Sequence, residues 1–119
     1  MPQTVYVVED DSGIRNVVEM ILSEAGYEVK AFENFKGLKS QLQLGLPDLI
    51  LMDMTLHDGS GIAFCEELKS AVSTARIPVI MMSAHFFSDP ETEIPCADGF
   101  ISKPFDIVDL LTVISKNVG

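Results

Sequence analysis

The sequence predicts a doubly wound α/β sandwich, a five-stranded parallel sheet with helices on both faces, and three observations predict it. Short runs at Thr4 to Val8, Leu49 to Met52 and Val79 to Met82 are almost wholly apolar. A run without polar alternation is how a strand covered on both faces reads. The segments between them space apolar residues three and four apart, as on one face of a helix. The alternation continues along the 119 residues, which implies parallel strands joined by right-handed crossovers.

The elements follow in order. After the first strand, Ile14, Val17, Val18, Ile21, Leu22 and Ala25 share a helical face, with Ser12 as a candidate cap and Gly26 past the end. Tyr27 to Phe32 sets Glu28 and Lys30 among apolar residues, as on an edge strand with one wetter face. Asn34 caps a second helix carrying Phe35, Leu38 and Leu42, and Leu46-Pro47-Asp48 ends the connection to the third strand. Gly61 to Lys69 reads as a third helix through Ile62, Phe64, Cys65 and Leu68. Asp98 to Ser102 is the last strand, and Asp106 caps a final helix with Ile107, Leu111, Ile114 and Val118 inward. Where a fourth full helix belongs, Pro90 suits a first helical position but Pro95 stops any helix after about one turn. A short or irregular fourth helix is therefore expected. The wetter second strand favours the flavodoxin-like order 2-1-3-4-5, in which ligands bind at the carboxyl ends of the strands, between strands one and three.

Composition bounds the function. With 47% hydrophobic and 22% charged residues the chain can bury one core, and it reads as a single domain over residues 1–119. Whether that domain stands alone or was cut from a longer protein near Gly119 is open. The net charge of −10, with eight scattered Lys and Arg, argues against a nucleic-acid face. Cys65 and Cys96 are too few for a disulfide framework and read as small hydrophobes in a reducing compartment. No leader pattern opens the sequence and no apolar run approaches bilayer length, so the expectation is a cytoplasmic domain without membrane contact.

The chemistry lies where the strands end. Glu9, Asp10 and Asp11 follow the first strand, Asp53 the third, Ser83 the fourth and Lys103 the fifth, so the topology brings them to one edge. Crowded carboxylates repel one another, and the grouping calls for a divalent ion. Oxygen ligands without neighbouring His or Cys point to Mg2+. A carboxylate can also attack phosphorus to give an aspartyl phosphate, a transfer that needs positioning and charge neutralisation above all. Lys103 would supply a cation and Ser83 a hydroxyl donor to the phosphoryl oxygens. Each of these residues alone is commonplace as a helix cap or a solvated charge. Their joint placement after the correct strands is what carries the functional reading.

The blocks Val7-Val8-Glu9-Asp10-Asp11-Ser12, Pro47-Asp48-Leu49-Ile50-Leu51-Met52-Asp53, Ser83-Ala84 and Lys103-Pro104-Phe105 resemble the signature blocks of the response-regulator receiver family of two-component signal transduction. The resemblance implies that Asp53 is the phosphoacceptor, and that Mg2+ is held by Glu9, Asp10, Asp53 and the backbone carbonyl of Thr55. It implies that Ser83 and Lys103 stabilise the phosphoryl group, and that Ser83 and Phe100 form the switch. Pro104 matches the proline whose bond to that lysine is cis. The implied partners are a sensor histidine kinase or phosphotransfer protein and a downstream output domain or protein. The domain would be a regulator that catalyses its own phosphorylation and dephosphorylation.

Some positions depart from the pattern. His57 stands where the family usually has Pro, which predicts a less rigid loop from Met54 to Gly61, and reads first as a tolerated surface substitution. Thr55 and His85 occupy positions where the family tunes the phosphoryl lifetime. Phe100 lacks the hydroxyl of the commoner Tyr, making the switch steric only. Two other readings compete. One is a receiver-like interaction module that no longer switches, which the intact Glu9, Asp10, Asp53, Ser83 and Lys103 disfavour. The other is a hydrolase with an aspartyl-phosphate intermediate, which Thr55 disfavours because such phosphatases usually place a second Asp there.

Overall fold

The computed structural model describes residues 2–83 and 95–118. In chain order the elements are β1 (Thr4–Val8), α1 (Ser12–Glu24), β2 (Glu28–Phe32), α2 (Phe35–Leu44), β3 (Leu49–Asp53), β4 (Thr55–Leu56), β5 (Gly59–Ser60), α3 (Gly61–Ser70), β6 (Val79–Ser83), β7 (Gly99–Ser102) and α4 (Ile107–Asn117). The main sheet is all parallel in the order β2-β1-β3-β6-β7. Counting only its own strands, this is the order 2-1-3-4-5 that the sequence predicts. The expected irregular fourth helix falls mostly within 84–94, outside the described residues. Among the described residues no helix is long and apolar enough to cross a membrane.

Alternate residues of each central strand feed two separate cores. Tyr6, Val8, Ile50, Met52, Val79 and Met81 pack with Phe35 and Leu38 of α2 and with Phe64, Cys65 and Leu68 of α3. Val5, Val7, Leu49, Leu51, Ile80 and Met82 pack with Val18, Ile21 and Leu22 of α1 and with Leu110 and Ile114 of α4. Side chains of successive strand residues point to opposite faces, so a sheet covered on both sides needs apolar residues at every position. Each fully buried aliphatic side chain such as Leu22 contributes about 1.5–3 kcal/mol. Cys65 is one of these packing residues; burial, and next the Cys96 thiol beside it, push its own thiol far above the usual range.

The helix ends show why the elements stop where they do. Asp11, and not the expected Ser12, caps α1: its Oδ1 accepts the Ile14 N–H at 2.9 Å, and Ser12 is already helical. At the other end Gly26, at φ 99°, lets its N–H reach Ser23 and that of Tyr27 reach Leu22, the double bond of a left-handed glycine cap. Asn34 and Asp106 cap α2 and α4 as expected. On α4 Ile114 is buried and Leu111 and Val118 pack against the core as expected, but Ile107 is 56% exposed and Leu110 is buried instead.

At the end of the sheet where β6 and β7 begin, Lys69 of α3 donates to the Ile77 carbonyl at 2.8 Å and to Asp98 Oδ2 at 2.7 Å. The same Asp98 oxygen accepts the Val79 N–H at 2.8 Å. One carboxylate thus ties α3 to the starts of both strands.

Candidate functional site

Sheet register sets the site. Val8 pairs with Met52, Asp53 with Met82 and Ser83 with Ser102, so the carboxyl ends of β1, β3, β6 and β7 finish level. Glu9, Asp53, Ser83 and Lys103 stand at those ends or one residue past them. Glu9 is fixed by its backbone: its N–H donates to the Phe32 carbonyl at 3.0 Å and its carbonyl accepts Arg15 Nη1 at 2.9 Å. Lys103 is fixed likewise, its N–H donating to the Ser83 carbonyl at 2.8 Å, and its peptide bond to Pro104 is cis. Arg15 is a contributor that the sequence pattern does not reveal, since it reaches back from α1 to a backbone carbonyl.

The side chains converge on one ammonium. Lys103 Nζ donates to Glu9 Oε1 at 2.6 Å and to Asp53 Oδ2 at 2.9 Å. Carboxylate oxygens of Glu9, Asp10 and Asp53 all lie within 4.8 Å of one another. One ammonium is bonded to two of the three carboxylates, which leaves an excess of acidic groups. Burial, and then the neighbouring Asp53, push the Glu9 carboxyl up to about 7, with Lys103 opposing. Burial alone would lower Lys103, but its bonds to Glu9 and Asp53 outweigh that and hold it above the usual lysine range. Glu9 is fully buried, and its Oε2 has no hydrogen-bond partner among the described residues. An orphaned buried oxygen beside two further carboxylates fits a hard divalent cation such as Mg2+, which takes oxygen donors. Asp11 is outside this cluster because its carboxylate caps α1.

Beyond Asp53 the chain makes a small antiparallel hairpin of β4 and β5, in which Thr55 pairs with Ser60 and Leu56 with Gly59. Two features tie this hairpin down. A Cβ on Gly61 would collide with the Asp53 carbonyl and lie 2.9 Å from Met54 Cα, and the Gly61 N–H donates to the Met54 carbonyl at 2.6 Å. Asp58 accepts the N–H groups of Phe35 and Lys36, both at 3.1 Å, at the start of α2. The loop expected to be loosened by His57 is closed at its base by Met54 and Gly61 and bonded to the start of α2 at its turn by Asp58. His57 lies at the rim, its Nε2 3.5 Å from Asp10 Oδ2. Ser83 is buried at the end of β6, and Phe100 is a half-buried residue of β7 packed against the α2/α3 core. His85 lies outside the described residues.

Level strand ends, three carboxylates and an inward lysine define a class of α/β domain with an acidic site at the carboxyl edge of its parallel sheet. The chain belongs to the response regulator receiver domain family, whose model matches residues 5–115. The phosphate regulon transcriptional regulatory protein PhoB of Escherichia coli K12 is 36% identical over 118 residues, covering 96% of this chain and 51% of PhoB. The chain thus spans about half the length of that relative. The signal receiver domain of a signal transduction histidine kinase from Syntrophus aciditrophicus superposes with a TM-score of 0.88 at 30% identity, over 98% of this chain and 89% of that one. The chemotaxis response regulator CheY4 of Vibrio cholerae shares the fold, with a TM-score of 0.90 at 24% identity over 98% of each chain.

Proposed function

We propose that the domain is a phosphorylation switch, in which Asp53 accepts a phosphoryl group from a phosphohistidine of a sensor kinase or phosphotransfer protein. The observation that carries this is the convergence of Lys103 on Glu9 and Asp53, with Asp10 completing the carboxylate cluster. An Asp53 carboxylate oxygen attacks phosphorus, the P–N bond to the donor imidazole breaks, and the imidazole leaves with its electron pair. Glu9, Asp10 and Asp53, with the Thr55 carbonyl, would hold Mg2+, which supplies neutralisation of phosphoryl charge when bound. Lys103, already hydrogen-bonded to Asp53, is positioned to follow the new phosphoryl oxygens, and the Ser83 hydroxyl donates to another of them. The same residues serve the slow return by hydrolysis. Phosphorylation then biases two states of the domain, with Ser83 and Phe100 as the moving pair, and partners read the difference.

The net charge of −10 gives a phosphate backbone no basic face, so we assign this domain protein partners and leave any nucleic-acid contact to an output domain. The relatives, a transcriptional regulator, a kinase-attached receiver and a chemotaxis regulator, carry different outputs. Intact mass after incubation with a small-molecule phosphodonor and Mg2+ tests the proposal. One added phosphoryl group, absent from Asp53→Ala and absent without Mg2+, is the expected result. No adduct on a folded wild-type domain would replace it with a non-switching interaction module.

A further inference from the structure

His57 is 90% exposed, and an exposed imidazole on a free loop would sample many orientations. Its backbone has no such freedom. Leu56 before it is buried in the α2/α3 core, Asp58 after it is bonded to two amides at the start of α2, and β4 pairs with β5 across the turn. The turn therefore presents the imidazole to Asp10 from a fixed point, with Nε2 3.5 Å from Oδ2. Neighbouring ligands of a six-coordinate ion with bonds of about 2.1 Å stand about 3 Å apart, close to the separation of these two atoms, and the exposed imidazole, which lies outside the group of Glu9, Asp10 and Asp53, has room to rotate toward the other two carboxylates.

We propose that His57 is a further side-chain donor to the cation site of Glu9, Asp10 and Asp53, giving it a preference for a borderline ion such as Mn2+ over Mg2+. Carboxylates and carbonyls serve Mg2+ and Mn2+ alike, but imidazole suits transition metals, and Mg2+ parts with its waters reluctantly. The inference rests on the proposed cation site. The competing role for His57 is a surface ion pair with Asp10, which confers little stability and no metal preference.

The test is pulsed electron paramagnetic resonance of Mn2+ bound to the full 119-residue chain, beside calorimetric titration with Mn2+ and with Mg2+. The wild type should show nitrogen modulation from a directly bound imidazole. That signal should change to the 15N pattern when the histidines are isotopically labelled and vanish in His57→Ala. The preference for Mn2+ over Mg2+ should fall in His57→Ala by about tenfold or more, since even outer-shell partners of metal ligands are worth that much. Stoichiometric Mn2+ binding without nitrogen modulation, with the preference unchanged in His57→Ala, overturns the role of His57 and leaves the carboxylate site standing. Failure of either ion to bind the wild type, or binding that survives Asp10→Asn with Asp53→Asn, overturns both.

Discussion

Lys103 stands 2.6 Å from Glu9 and 2.9 Å from Asp53, so the lysine is held more closely by the buried carboxylate of Glu9 than by that of Asp53. Even with that partner, burial and Asp53 raise the Glu9 carboxyl from 4.5 to about 7. The metal-free native state then binds more protons than the unfolded chain between those values, so stability present below pH 4.5 is lost as pH rises toward 7. The separation between 4.5 and about 7 corresponds to about 3 kcal/mol, an order-of-magnitude figure. Urea unfolding in the presence of a chelator should show this decline in the wild type, and Glu9→Gln should flatten it.

Divalent cation should act in the opposite sense. A ligand that binds only the native state stabilises it by about 2.7 kcal/mol at a hundredfold excess over its Kd. Thermal unfolding with and without Mg2+ should show a rise in Tm for the wild type, reversed by chelator. The rise should be abolished in Asp10→Asn, whose carboxylate belongs to the cluster but is not one of the two bonded to Lys103.

Gly61→Ala should damage the site from behind. The added methyl meets backbone, the Asp53 carbonyl and Met54 Cα, and backbone cannot swing aside as a flexible side chain does. Overpacking of this kind costs about 1–3 kcal/mol. Phosphoryl uptake should fall along with stability, whereas Ala63→Gly, on the exposed side of the same helix, should lower stability with uptake retained.

Asp58→Ala should loosen the hairpin and the start of α2 together. Desolvation raises its carboxyl, but the backbone N–H groups of Phe35 and Lys36, with smaller local contributions, together outweigh that and hold it below the usual aspartate range. Its contribution is therefore present above the ordinary value of 3.8 and lost as pH falls through the lowered one. Amide exchange should show faster exchange at Phe35 and Lys36 in Asp58→Ala at neutral pH, while Gly37, held by Asn34, retains more of its protection.

The strands and the site carboxylates are legible in the sequence for one reason: burial on both faces demands apolar residues throughout Val5–Val8 and Leu49–Met52, so Glu9 and Asp53 mark the ends. What is illegible depends on geometry that neighbours in sequence do not carry. Asp11 and Ser12 are both good caps, and only the exit path of β1 selects Asp11. The final helix has apolar residues at Ile107, Val108, Leu110, Leu111 and Ile114, enough for two overlapping stripes, and packing against the sheet selects the one through Leu110. The β4–β5 hairpin has two residues a side, too short for any periodicity. The approach of His57 to Asp10 joins residues far apart in the chain and has no local signature.

The bonds from Lys69 and Val79 to Asp98 lie at the end of β6 and β7 remote from the carboxylates. Mechanically the strand pair is clamped at its root, at Val79 and Gly99, and stayed from the side toward its tip, where β6 remains paired with β3 as far as Met82. A push applied at Ser83 would therefore be shared with β3 through the Asp53–Met82 pair before it reached the clamped roots and the core packed on them.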